Sequence, residues 1–185
     1  MTATKRYLRI LWIALIAIGL VLFFLHPDWF TKDYIANYVS QNSKNIILLY
    51  TTLSLIRGLF LLPSTPFVFA GILIFPDQPW LIFTISLIGI LITATYLYFA
   101  SRFLEFDKLF GTAHSQKKEK IISKLNKHGF WLVLAWSFFP LVPTDLICYI
   151  AGSIRLNFSK YIVALLIGEA ILVSGYIFLG ANFTL

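Results

Sequence analysis

Residues 80–101 run without a single charged side chain. At about 1.5 Å per residue, a helix of that length covers the roughly 30 Å hydrocarbon core of a bilayer. Two further runs have the same character. Residues 10–25 are wholly apolar and follow a basic start with Lys5, Arg6 and Arg9, and residues 161–182 carry one charge, Glu169. In lipid every backbone N–H and C=O must be satisfied inside the protein, which leaves helices or closed barrels. The runs are continuous rather than alternating, so helices are predicted. Of the 185 residues, 59% are hydrophobic and 12% are charged, against about 25% charged in soluble domains. A large water-soluble domain is excluded, and the length allows one domain of about six or seven membrane-inserted elements. The lone cysteine, Cys148, excludes a disulfide framework within the chain and a Cys-rich metal site. No small-x-small cleavage site closes the first run, so it reads as a retained helix rather than a signal peptide.

Two other apolar stretches are broken. Residues 46–62 end at Pro63-Ser64-Thr65-Pro66, after which residues 67–75 continue to Pro76. Residues 130–139 meet Pro140 and Pro143, and residues 146–154 end at Arg155. The nine-residue pieces reach about 14 Å, half of the hydrocarbon core, and cannot span alone. The same order thus occurs twice: an apolar segment, a Pro-x-x-Pro break, a half-length helix ending near Ala-Gly, and a long span. Pro63 and Pro66 match Pro140 and Pro143, Gly71 matches Gly152, and Gly89 matches Gly168. Paired, proline-interrupted short segments are the sequence mark of a transporter-like binding site. Residues 29–45 suit a short interfacial helix, with Trp29, Phe30, Tyr34, Ile35, Tyr38 and Val39 at helical spacing, or an aromatic-anchored loop. The domains expected are therefore residues 1–45, with the first helix and this segment, and residues 46–182, with repeat one at 46–101, a basic linker at 102–129 and repeat two at 130–182. In the linker, Ile121, Ile122 and Leu125 suggest a basic helix on the membrane surface.

Charge counting separates two topologies. If each broken segment enters and leaves on one side, with the N-terminus cytoplasmic, twelve of the fifteen Lys and Arg lie inside and only Lys32 and Lys44 outside. If each crosses completely, the seven cations from Arg102 to Lys127 fall outside. The positive-inside rule favours the first arrangement. The fold class expected is an all-α polytopic membrane protein, an inverted repeat with two opposed re-entrant helical hairpins plus transmembrane helices. The net charge of +7 is then explained by topology and anionic lipid, and no nucleic acid is implied.

Arg57, Asp145 and Glu169 stand inside apolar segments. Such a charge costs about 2.5–3.5 kcal/mol on insertion scales unless paired or wet, and it marks a cavity and a function. Arg57 and Asp145 sit near helix breaks and Glu169 near the middle of the last span, so the three could converge. A structural ion pair of Arg57 with one carboxylate is the plainer alternative. Two acids facing one arginine leave one acid without a cation, and either Glu169 or Asp145 is expected to bind and release a proton. Thr65 before Pro66, and Thr144 after Pro143, are candidate caps of half-helices. Their free N–H groups would face a shared cavity and suit an anion such as a phosphate headgroup, with Ser64 beside them. The alternative is that the prolines only kink long helices. Gly71, Gly89, Gly152 and Gly168 would permit close helix packing.

No G-x-S-x-G, H-E-x-x-H, C-x-x-C or phosphate loop is present, and His26, His114 and His128 are dispersed over predicted loops. No enzyme chemistry, cofactor or metal is expected. N-F-S at Asn157 and N-F-T at Asn182 match glycosylation spacing only as three-residue patterns.

Phe138-Phe139-Pro140-Leu141-Val142-Pro143-Thr144-Asp145-Leu146, followed by Tyr149-Ile150-Ala151-Gly152, resembles the central signature of the DedA/VTT superfamily, the SNARE-associated Golgi proteins. Arg57 ahead of Leu62-Pro63-Ser64-Thr65-Pro66, then Ala70-Gly71, Gly89 and Tyr98-x-x-x-Arg102, is similar to the family's first half. The likeness covers about residues 46–180 and is closest to the Tvp/Tmem branch. It implies opposed re-entrant hairpins and movement of a lipid, an anionic phospholipid or a polyprenyl-phosphate carrier, with proton coupling in bacterial members. The partners it implies are membrane lipids with anionic headgroups and protons. A homodimer is compatible with it, and the bacterial cytoplasmic membrane is the expected location. Many relatives carry an arginine where this chain has Ser137; if that arginine contacts phosphate in them, Arg57 or Arg102 must substitute for it here, or the substrate differs. The competing function class is a membrane scaffold or envelope-integrity protein that transports nothing.

Overall fold

The computed structural model describes residues 3–42, 44–103, 128–139 and 144–179. Among them every regular element is helical. Helix α1 spans Ala3–Leu25, and a 3-10 turn at Pro27–Phe30 leads to α2, Lys32–Asn42. Helix α3, Ile46–Ile56, continues as a 3-10 turn over Arg57–Phe60, and α4 is Thr65–Ile74. Helix α5 is Pro79–Phe103, residues 128–137 form α6, α7 is Thr144–Ser153, and α8 is Phe158–Ser174 with a π-helical extension over Gly175–Leu179. Among the described residues three stretches are long and apolar enough to cross a membrane: Arg6–Leu25, Pro79–Phe103 and Phe158–Leu179. Leu11, Ile18, Val21 and Phe24 of α1 are exposed. An apolar face of that extent suits acyl chains and would be a liability in water.

The polar residues at the ends explain the boundaries. The side chains of Asn45 and Asn157 accept the N–H groups of Leu48 and Lys160, each at 3.1 Å, and so cap α3 and α8. Thr31 does the same for Tyr34 at 3.3 Å and starts α2. The segment of residues 29–45, legible as helix or loop, is therefore a helix over most of its length. It buries Ile35, Ala36 and Val39 against α3 and α4. The α3 run stops at Leu61, two residues before Pro63, in keeping with the proline's bias of the preceding residue, Leu62, away from the helical region. Leu61 turns left-handed at φ 56°. Its N–H reaches Gly58 O at 3.4 Å and that of Leu62 reaches Arg57 O at 3.2 Å, a double closure that satisfies the last carbonyls. The same closure ends α7, where Arg155 has φ 55°. There Leu156 N–H bonds Ala151 O at 2.9 Å and Arg155 N–H bonds Gly152 O at 3.1 Å.

The larger core lies between α5, α7 and α8 and includes Ile90, Ala94, Leu97, Ile147, Ala151, Ala164 and Leu165. Tyrosine hydroxyls tie these helices together. Tyr161 donates to Ala94 O at 3.2 Å and Tyr98 to Leu156 O, and the two rings stack at 5.2 Å. Helices α3 and α4 are joined by Tyr50, which donates to Phe67 O at 3.0 Å. Three of the four glycines expected at close contacts sit at them. A Cβ on Gly152 would run into Tyr98 O and Ser101 Oγ, one on Gly71 into the Tyr50 ring, and one on Gly168 into Ser137 Cβ and Leu134 O. Gly89 differs, since its nearest neighbour, Leu55, would lie 3.9 Å from a Cβ. The tight approach between α3 and α5 is made instead by Gly58 against Thr93.

Other expectations are adjusted. Arg9, counted as a loop charge, lies within α1 and is buried. His128, assigned to a loop, belongs to α6. The linker stripe of Ile121, Ile122 and Leu125, the prolines Pro140 and Pro143, and the Asn182 pattern lie outside the described residues.

Substitution at Gly152 and Gly89 separates the two kinds of glycine. Gly152→Ala pushes a methyl group into the α5 backbone and should destabilise by about 1–3 kcal/mol. Gly89→Ala should be neutral or stabilising by up to about 1 kcal/mol. Thermal unfolding midpoints in detergent would show the ordering, and equal midpoints would contradict it.

Candidate functional site

The 3-10 turn after α3 carries Arg57 inward, and the break that follows holds its guanidinium in place. Arg57 Nη1 donates to Leu62 O at 2.9 Å, and the guanidinium carbon lies 5.9 Å from the Phe67 ring centre. From the other half of the chain, the first turn of α7 brings Asp145, whose Oδ2 lies 3.5 Å from the same Nη1. Only 6% of Arg57 and 7% of Asp145 are exposed. Midway along α8, Glu169 is 1% exposed. Its Oε1 accepts the Thr144 hydroxyl, and its Oε2 is buried with no hydrogen-bond partner among the described residues. The two acids are thus distinguished: Asp145 has a cation and Glu169 has a hydroxyl.

All three charges line one cavity of about 640 Å³. Its wall includes Leu62, Pro63, Ser64, Thr65 and Pro66 at the start of α4, Thr144 and Asp145 at the start of α7, and Glu169 and Leu172 of α8. Two ten-residue helices, each about 15 Å long and half a bilayer deep, therefore begin at the same space. Thr65 is the first residue of α4 rather than its cap. The cap position belongs to Ser64, whose hydroxyl makes no capping bond while its carbonyl accepts from Phe67 and Val68 at 3.0 and 3.1 Å. The shift follows from Pro66, which has no N–H to be capped and fits the first turn from Thr65 onward. Thr144 likewise spends its hydroxyl on Glu169.

The structure gathers Arg57, Ser64, Thr65, Thr144, Asp145 and Glu169, with Pro63 and Pro66, around the cavity. Arg102 is not among them. It is exposed in the last turn of α5, and Ala94, the last α5 residue in the wall, lies about 12 Å earlier along the axis. Ser137 is buried where α6 meets Gly168 and does not line the space. Gly71 and Gly152 act in packing, as described above. The sequence reading missed Phe30, Thr31, Lys32 and Asp33, which also line the cavity. The only signal for them was the polar start of a helix, which is also how an ordinary surface helix begins.

With this geometry in hand, comparison with known proteins decides the family. Residues 62–182 match the family model of the VTT domain. The chain belongs to the VTT-domain family, that of the DedA and SNARE-associated Golgi proteins. No curated protein and no solved structure matches it. The VTT domain and the three spanning-length helices make it an integral membrane protein. The matched region holds both membrane acids and the starts of α4 and α7, whereas Arg57 and the residues 30–33 precede it.

Removing one partner of a buried ion pair leaves a bare charge and costs about 3–5 kcal/mol. Arg57→Ala should therefore lower stability more than Arg57→Ala combined with Asp145→Ala, and Arg57→Lys should be the mildest of the three. A double-mutant cycle on detergent unfolding midpoints measures this, and strict additivity of the two single changes would remove the pair from the account.

Proposed function

We propose that this VTT-domain protein moves a lipid across its membrane, binding the lipid's anionic headgroup in the cavity. The observation that carries the reading is the convergence of Arg57, Asp145 and Glu169 with two helix starts on one space inside an apolar helical bundle. Arginine presents a planar fork of donors to a phosphate, and helix N-termini add oriented N–H groups and partial positive charge. Pro63-Ser64-Thr65-Pro66 and the start of α7 at Thr144 stand at the tips of two re-entrant hairpins that meet from opposite faces as an inverted repeat, and the N-terminus is cytoplasmic. The substrate is a phospholipid or a polyprenyl-phosphate carrier.

Glu169 is the proton carrier in this scheme. Asp145 is held by Arg57, so a headgroup that takes Arg57 must displace Asp145, whereas Glu169 makes no ion pair among the described residues and keeps one buried oxygen without a hydrogen-bond partner. Thr144 links the two: its hydroxyl serves Glu169 and its neighbour is Asp145. Substrate at Arg57 and a proton on Glu169 thereby act on the same turn of α7.

Reconstituted vesicles test the proposal. The wild-type protein should move a labelled anionic lipid between leaflets, faster with an imposed pH gradient. Glu169→Gln, nearly the same shape, should insert normally, lose the response to the gradient and fall at least about tenfold in rate, the size expected for one charge-assisted contact. A scaffold would leave labelled lipid in its original leaflet with or without the gradient, and that result would sink the transport reading.

A further inference from the structure

Helix α2 buries Ile35, Ala36 and Val39, and Lys32 stands one turn earlier on that same face, at the spacing i, i+3, i+4 and i+7. An amphipathic helix ordinarily continues an apolar residue there. Instead a half-buried lysine meets the cavity that holds Arg57, Asp145 and Glu169. Among the described residues lining that cavity, Arg57 and Lys32 are the two cations. Arg57 is committed to Asp145 and to Leu62 O. Lys32 has no hydrogen bond or ion pair among the described residues. Its neighbour Asp33 is exposed in the first turn of α2, where a carboxylate answers the positive end of its own helix. Glu169 lines the same cavity, and its Oε2 is buried without a hydrogen-bond partner among the described residues.

We propose that Lys32 is the second cation of the site and selects lipids whose headgroups carry more negative charge than a single phosphodiester. The inference rests on the lipid reading above and deepens it. A phosphodiester carries one charge, which Arg57 can meet once it is released from Asp145. A terminal phosphate, with up to two charges, needs another cation, and an ammonium on a flexible stem in the same wall can supply it without a fixed geometry. Phe30, Thr31 and Asp33 line the same cavity and are partly or fully exposed, so half-buried Lys32 stands among exposed residues of that wall. Lys32 precedes the matched residues 62–182, so this selectivity is attached to the VTT domain by the chain's own leading segment.

The test uses the full chain in vesicles carrying labelled phosphatidic acid, with a phosphate monoester headgroup, or labelled phosphatidylcholine, which is zwitterionic. Lys32→Gln should slow the first by about tenfold and leave the second within about twofold, with Lys32→Arg restoring the first, as one charge-assisted contact would. An equal loss for both lipids would make Lys32 a structural residue, and no loss for either would overturn the role outright. If the wild type moves neither lipid, transport fails as a reading, and binding of labelled phosphatidic acid in detergent then decides Lys32 by itself. Tenfold weaker binding to Lys32→Gln supports the site, and equal binding removes it. Lys32-dependent uptake of radiolabelled inorganic phosphate would assign the site to a free anion and overturn the lipid selectivity.

Discussion

The contact between Arg57 and Asp145 holds the two halves of the molecule to a single centre. Its partners are 88 positions apart and arrive from different helix breaks, so neither half can form the centre alone. In hydrocarbon each charge would cost several kcal/mol if left bare, and the attraction between them offsets that cost only when the geometry is held. The structure holds it through the breaks themselves. Leu61 turns the chain so that Leu62 presents its carbonyl to the guanidinium, and the start of α7 presents Asp145 from the other side. The break at Pro63–Pro66 therefore helps to position Arg57, whose guanidinium donates to the Leu62 carbonyl just before it.

The glycines make this arrangement possible. Gly152 lets α7 approach the α5 backbone, Gly58 lets the Arg57 turn approach Thr93, and Gly168 lets α8 approach α6. With larger residues at these points the helices would stand apart, and Arg57, Asp145 and Glu169 would lose the shared space. Close backbone approach is the usual means of helix association in lipid, where apolar burial offers little drive between helices. A polar centre and small-residue contacts together do the work that a hydrophobic core does in water.

The long spans and the half-helices were legible from the sequence because hydrophobic length and proline position act locally. Residues 80–101 leave a chain no other use, and Pro66 fixes the first turn of α4. The convergence of Arg57, Asp145 and Glu169 was legible for a different reason, since a charge in lipid must find a partner or a cavity. What could not be read was which acid pairs. Asp145 and Glu169 are equivalent in composition and differ only in the direction their helices give them, which is a tertiary property. Gly89 and Gly58 exchanged roles for the same reason: a glycine shows that close contact is permitted and not where the neighbouring helix passes. Lys32 stayed hidden because its significance depends on the face of α2 that packs on α4, and that face became apparent only when Ile35, Ala36 and Val39 were seen together.

The signs of the charges divide along the chain. Both cations of the cavity, Lys32 and Arg57, precede residue 62, and both buried acids, Asp145 and Glu169, follow it within the VTT domain. The domain alone would thus fold around two acids with no cation in the described wall. The leading segment supplies the opposite charge, once fixed by a backbone carbonyl and once on a flexible stem. Under the proposed lipid reading, an anion that takes Arg57 would have to compete with Asp145, whereas Lys32 has no such competitor among the described residues. A mixture of contested and uncontested cations would suit a site that has to release what it binds, whereas a purely cationic cavity would hold an anion too firmly to pass it on.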